Sequence, residues 1–225
     1  MTQPKDLVIV GDSAFAEVAY EYFTHDSPYR VVGFSVERDY LKKPALCGLP
    51  VVPLEEVEAA FAPAAHSAFV AVTYTQMNRL RTRLYQAVKA KGYAPASYVS
   101  SRAFVWRNVA LGEHCFVFEN NVVQPFVKLG NNVVLWSGNH IGHHSRINDN
   151  VFVSSHVVVS GFCEIGDNCF LGVNVAVANN VKIARDCWIG PGVVIGKNTK
   201  DGELYRSSEP EVAKVSAPRF FKVRD

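Results

Sequence analysis

The 225-residue sequence has no apolar run of about 18 residues, the length that crosses a bilayer, and no basic stretch leading into an apolar one. Neither a membrane span nor a secretory signal is expected, and the expected location is the cytoplasm. Charge of either sign is not in excess: 23 Lys and Arg face 21 Asp and Glu, for a net charge of +2. Electrostatics therefore predict no nucleic-acid partner. Cysteine is sparse, with five residues, an odd number, and no CxxC pair. That argues against a disulfide framework and against a zinc knuckle. What remains is an ordinary globular composition, 48% hydrophobic and 20% charged, long enough for one large domain or two small ones.

The chain changes texture near its middle. In the first part, apolar runs alternate with stretches of helical period. "LVIVG" (7–11), "YRVVGFSV" (29–36) and "SAFVAV" (67–72) read as buried strands. "SAFAEVAYEYF" (13–23), "LEEVEAAF" (54–61) and "QMNRLRTRLYQAVKAKG" (76–92) read as helices, the last closing on Gly92. This alternation predicts a small Rossmann-like parallel α/β domain over residues 1–95.

From residue 99 the helical period is gone and an aliphatic residue recurs every six positions. The series runs Val99, Val105, Leu111, Val117, Val123, Leu129, Leu135, Ile141, Ile147, Val153, Val159, Ile165, Leu171, Val177, Ile183, Ile189, Ile195: seventeen positions without a slip. Hexads of this kind predict a parallel β-helix over residues 96–198. With each aliphatic as position one, position five is small or β-branched and takes four of the five cysteines, Cys115, Cys163, Cys169 and Cys187. These are expected as core side chains, not as nucleophiles or ligands. Position four holds Asn, Gly or Asp in eleven of the seventeen hexads, the residues that tolerate a left-handed backbone. A corner every six residues implies a triangular prism of about 18 residues per coil. Residues 199–225 leave the repeat and are expected to cap the last coil.

Register separates the histidines. His114, His144 and His156 fall at corners, where imidazole is tolerated. His140 falls at position six, beside the next strand. His143 falls at position three, with Ser137, Asp149, Ser155, Asp167 and Lys197, an outward position where the fold gives no reason for imidazole.

The hexads resemble the left-handed parallel β-helix of the hexapeptide acyltransferases. The two-part layout, over residues 7–198, is similar to the branch that comprises bacterial nucleotide-amino-sugar N-acetyltransferases and sialic-acid O-acetyltransferases. The resemblance implies acetyl-CoA as co-substrate, no metal, a nucleotide-linked amino sugar as acceptor, polysaccharide biosynthesis as the setting, and a homotrimer with active sites between protomers. Sugar O-acetylation is the alternative. In that branch a histidine followed by an acidic residue acts as base on an outer edge. "IGHHSRI" (141–147) occupies that place and implies His143 as the catalytic base. The next residue departs from the family, being His144 rather than a carboxylate. It is taken as the second catalytic residue, with Asp149 or a carboxylate from a neighbouring protomer as rivals for that role. The implied CoA bed is His156, Gly161, Gly172, Asn174, Ala178 and Lys197. The acceptor is expected at the first domain: Gly11, Asp12 and Ser13 in "VGDSAFAE", where helix N-terminal amides face a phosphate or sugar, with Ser35, Thr73, Asn78 and Arg81. Trp136 and His140 are expected beside it, Trp136 as either a pocket wall or a contact between protomers. A γ-class carbonic anhydrase, which shares the prism and binds zinc through three histidines, is the distant rival. It needs a histidine about two coils before 140–144, and residues 104–108 contain none.

Overall fold

The computed structural model describes residues 5–208 and 211–223. Its first part is built around β1 (Lys5–Val10), which is parallel to β2 (Tyr29–Val36) on one side and to β5 (His66–Val70) on the other. The hairpin of β3 (Ala45–Leu46) and β4 (Leu49–Pro53) extends the sheet beyond β2, and β6 (Ala94–Pro95) extends it beyond β5. The order is β3-β4-β2-β1-β5-β6. The sheet therefore grows outward from β1 in one direction and then the other, so the chain reverses beside β1. Helix α1 (Ala14–His25) covers one face and buries Phe15, Ala16, Ala19 and Phe23, a helical-period stripe. Helices α2 (Val57–Ala60) and α3 (Arg79–Ala90) cover the other, packing Leu54, Val57, Leu84, Tyr85 and Val88 on Val8 and Val10. The helix expected from residue 76 begins three residues later. Gln76, Met77 and Asn78 all have left-handed φ, of 53, 52 and 66°, so the chain makes a tight turn before α3.

From Tyr98 the chain forms two-residue strands that pair in parallel with strands 18 residues away, making three flat faces. The first face runs from Tyr98–Val99 to Trp188–Ile189, the second from Phe104–Val105 to Val194–Ile195, and the third from Ala110–Leu111 to Lys182–Ile183. Position-one aliphatics and position-five residues fill one continuous core, from Cys115 and Val117 to Ile189 and Ile195. Fourteen of the corner residues have φ between 55 and 77°. Besides Asn, Asp and Gly, these include His114, His144 and His156, and also Phe126 and Phe162.

The three outer faces differ. The first presents Phe116, Phe152, Phe170 and Trp188, and the α/β domain lies against it, inserting Phe15, Phe23 and Phe69. Burying each of these rings contributes on the order of 2 kcal/mol. The third carries Lys128, Arg146, Glu164 and Lys182, with a Lys182–Glu164 ion pair at 3.1 Å, and faces water. The second presents Phe104, Val122, His140, Val158, Ala176 and Val194, and none of the described residues covers it. Val194 is 73% exposed.

The C-terminal segment divides. Leu204–Tyr205 adds one more strand to the first face, and Thr199 and Lys200 cover Cys187. Residues 211–223, including Phe220 and Phe221, are all exposed and cap nothing, unlike the expectation for the whole tail. Part of "RSSEPEVAK" lies outside the described residues.

Candidate active site

His143 stands on the corner between the second and third faces. Its backbone N–H donates to Gln124 Oε1 at 2.9 Å, one coil earlier. Its ring rests over Gly161, one coil later. A Cβ on that glycine would lie 2.9 Å from His143 Cε1 and 3.0 Å from Nε2. Gly161 is thus the seat of the imidazole, and its own N–H is taken by Asn179 Oδ1 at 2.9 Å. On its other edge, His143 Nδ1 lies 3.1 Å from His144 Nδ1, hydrogen-bond distance between two imidazoles. His144 is therefore both a corner residue (φ 60°) and the partner of His143. It lies between the rings of Phe126 and Phe162, at centroid distances of 4.6 and 4.9 Å. Asp149 is committed elsewhere: its Oδ1 accepts Asn131 N at 2.7 Å. Among the described residues, no three His, Cys, Asp or Glu side chains are grouped to hold a metal ion.

A second feature is a crevice of about 260 Å³ at the carboxyl ends of β1, β2 and β5. Gly11, Asp12 and Ser13 line it, with Glu37, Tyr40, Thr73 and Thr75. This is where an α/β sheet of this topology opens at its point of reversal. Gly11 is required there: its φ is 128°, and a Cβ would lie 2.8 Å from Ala71 O. Thr73 also belongs to a neighbouring cavity of about 280 Å³, lined by Tyr74, Trp136, Phe152, Ser154, Ser155 and Val173. Trp136 is anchored there by Phe118, at a centroid distance of 4.2 Å, and by Phe15 at 5.3 Å.

Three expected acceptor contacts face away from this crevice. Arg81 is fully buried between the domains. Its guanidinium donates to Asn132 Oδ1 at 3.0 Å, Thr73 O at 2.7 Å, Asn78 Oδ1 at 3.1 Å, and Asn132 O and Asn150 O at 3.3 Å. Burial pulls its pKa down to about 9, so it stays charged at neutral pH. Asn78, also buried, donates to Asn168 O and Cys169 O, both at 3.1 Å. These two side chains bolt the α/β domain to the prism; their hydrogen-bonding capacity is spent. Ser35 is buried in β2 and its hydroxyl has no hydrogen-bond partner among the described residues. Sequence reasoning also missed His114. It is a corner residue, yet it is buried at the same boundary, where Nε2 accepts Val70 N–H at 2.8 Å and Nδ1 meets Asn132 Oδ1 at 2.9 Å.

The remaining expected residues lie along two edges. Gly161, Ala178 and Lys197 follow His143 up its own corner. His156 and Asn174 stand on the corner between the first and second faces. The His156 ring packs over Gly138, where a Cβ would lie 2.6 Å from Nδ1. His140 is half-buried on the second face, between Val122 and Val158. Gly172 is buried, and a Cβ there would lie 2.7 Å from Pro191 N. Close stacking of coils, rather than ligand approach, explains that glycine.

Residues 126–161 and 162–197 match the family described as bacterial transferase hexapeptide (six repeats). Over these residues the chain carries that family's repeat, and its fold is that of solved hexapeptide-repeat structures. Solved structures with the same two-part architecture include the acetyltransferase domain of PglB from Neisseria gonorrhoeae, which is 21% identical. The match covers 90% of this chain and 97% of that one, with a TM-score of 0.82. PerB from Caulobacter crescentus, in complex with CoA and GDP-perosamine, is 24% identical; the match covers 90% and 94% of the two chains, with a TM-score of 0.81. WeeI from Acinetobacter baumannii is 17% identical, over 84% and 93%, with a TM-score of 0.55. At these identities the likeness is one of fold. No curated protein matches by sequence.

Proposed function

We propose that the chain is an acetyl-CoA-dependent N-acetyltransferase that acts on the amine of a nucleotide-linked amino sugar. In this reading the first domain is Rossmann-like, the prism winds left-handed and the protein works in the cytoplasm. The observation that carries the proposal is the His143 edge: an exposed imidazole seated on Gly161, paired through Nδ1 with His144, on a fold shared with a structure that holds CoA and GDP-perosamine. Imidazole is the side chain whose proton moves most readily near neutral pH. His143 Nε2 takes a proton from the acceptor amine as the nitrogen bonds to the thioester carbonyl carbon. The C–S bond breaks, CoA leaves as thiolate, and His143 returns the proton. No covalent enzyme intermediate is needed.

The arrangement calls for more than one copy. The aromatic cavity lies at the first face and shares Thr73 with the crevice, whereas His143 lies on the corner between the other two. They belong to opposite edges of the apolar, uncovered second face. A homotrimer that packs its second faces around a threefold axis brings the His143 edge of one protomer against the His156 and Asn174 edge of the next. The cavity with Trp136, Ser155 and Val173 then opens toward the neighbour's His143, and the split CoA bed, Gly161, Ala178, Lys197, His156 and Asn174, lines one groove. Gly11, Asp12, Ser13 and Thr73 hold the nucleotide in this arrangement.

The test is thiol release from acetyl-CoA across a panel of nucleotide-linked amino sugars and sialic acids. Release with an amino sugar, lost in His143→Ala, is the expected result. Release with sialic acids alone would move the reaction to O-acetylation, and full activity in His143→Ala would remove the base.

A further inference from the structure

Phe126 and Phe162 are the two corner residues that the fold does not ask for. Both have a left-handed backbone, with φ of 66 and 59°, a region that bulky side chains enter at a cost in strain. Every other corner with positive φ in the described prism is Asn, Asp, Gly or His. Core packing does not explain them either, since the residues are 54 and 56% exposed. Both rings contact His144, which lies 18 residues from each, one coil up and one coil down. The two rings take the His144 imidazole between them at interplanar angles of 27 and 16°. Phe162 also meets the His143 ring edge-on, at 5.0 Å and 89°.

A carboxylate beside a catalytic histidine orients it through either oxygen, across a broad arc. An imidazole has one in-plane lone pair on Nδ1 and must be held in one rotamer to do the same. The stacked rings hold it. His144 N–H is fixed to Pro125 O at 3.1 Å and the ring is pinned on both faces, so its Nδ1 stays in line with His143 Nδ1.

We propose that Phe126 and Phe162 are positioning residues: together they clamp His144 so that its Nδ1 accepts the Nδ1–H of His143, leaving the Nε2 lone pair of His143 bare over Gly161. Two histidines and two phenylalanines thus replace the histidine–carboxylate pair. The kinetic side of this inference rests on the acetyl-transfer reading; its structural side does not.

The variants Phe126→Asn and Phe162→Asn test it, because asparagine is the residue the other corners use and both should melt no lower than wild type. Long-range proton–nitrogen correlation spectra of histidine-labelled protein, recorded without substrate, report which ring nitrogen of His143 carries the proton. The wild type is expected to hold it on Nδ1, and each Asn variant to move toward the Nε2–H form. With acetyl-CoA and the best acceptor, kcat should fall about tenfold or more in each variant, with KM for acetyl-CoA unchanged. Phe162→Tyr, which keeps the flat ring, should restore both readouts. An Asn variant that leaves the His143 proton on Nδ1, or that raises KM without lowering kcat, overturns the clamp. A wild-type protein with no acetyl transfer removes the proposed function and leaves the tautomer result to decide the clamp alone.

Discussion

Arg81 Nε donates to Asn132 Oδ1 at 3.0 Å, from the first turn of a helix in one domain to a corner of the prism in the other. Among the described residues no carboxylate accompanies the buried guanidinium; its partners are amide and carbonyl oxygens. Removing it strands these acceptors in a buried boundary and opens a cavity. Arg81→Ala is therefore expected to destabilise the protein by on the order of 3–5 kcal/mol, measured by urea unfolding. Arg81→Lys should recover little of this, because one ammonium cannot reproduce the planar fork. A surface-like loss of a few tenths would show that the bolt is not needed.

The same Asn132 oxygen meets His114 Nδ1. Because His114 Nε2 accepts Val70 N–H, the ring is neutral with its proton on Nδ1, and a second proton would set N–H against N–H. Burial, aided by nearby Arg81, pushes its pKa from the ordinary 6.5 down to about 3. The sign follows from linkage. Below pH 6.5 the unfolded chain takes up a proton that the native state refuses, so stability is full above that pH and is lost as pH falls toward 3. The expected slope is about 1.4 kcal/mol per pH unit from this one residue. Comparing urea unfolding at pH 6 and pH 5 isolates it from the carboxylates. His114→Asn should be less stable at pH 7 and lack that slope; a wild-type slope retained in the variant sinks the assignment.

How far the chain could be read in advance depends on whether a residue's neighbours lie at a fixed sequence interval. The coil repeats every 18 residues, so Val117, Leu135 and Val153 share one environment and the aliphatic period states it directly. The same regularity isolated His143, since register alone showed that its position was not one for imidazole. Phe126 and Phe162 obey that interval too, but they matter only through contact with His144 one coil away, which a scan within one hexad does not see. Arg81 and Asn78 follow the strand end where an α/β domain binds ligands, and their types suit a nucleotide. What turns them inward is the left-handed run Gln76–Asn78 and the docking of a second domain, neither of which leaves a periodic trace.

Two glycines one residue from a histidine or a corner should separate folding from activity. A Cβ on Gly142 would lie 2.5 Å from Ser160 C and 2.6 Å from Gly161 N, both backbone atoms of the next coil. Gly142→Ala must part the coils and should lower the melting temperature markedly. The three atoms nearest a Cβ on Gly161 all belong to the exposed His143 ring, which can swing aside. Gly161→Ala is expected to fold within about 1 kcal/mol of wild type and to transfer acetyl poorly, because the base has lost its seat. Equal activity in Gly161→Ala and wild type would show that the ring position over Gly161 is not the productive one.

The division of the site between edges makes a prediction that neither edge makes alone. The Trp136 cavity borders the first face and shares Thr73 with the crevice, His143 borders the third, and the apolar second face lies between them. If protomers meet through that face, each active site takes its base from one chain and its acceptor crevice from the next. Two inactive variants, His143→Ala and the crevice-blocking Ser13→Trp, then complement each other when unfolded together and refolded as mixed trimers. At equal proportions a given site draws an intact crevice from half the chains and an intact base from the other half. Activity should return to roughly a quarter of wild type. Were base and crevice to work within one chain, every chain in the mixture would carry one defect, and no activity would return. The size of the recovery therefore distinguishes a shared site from a private one, whichever amino sugar proves to be the acceptor.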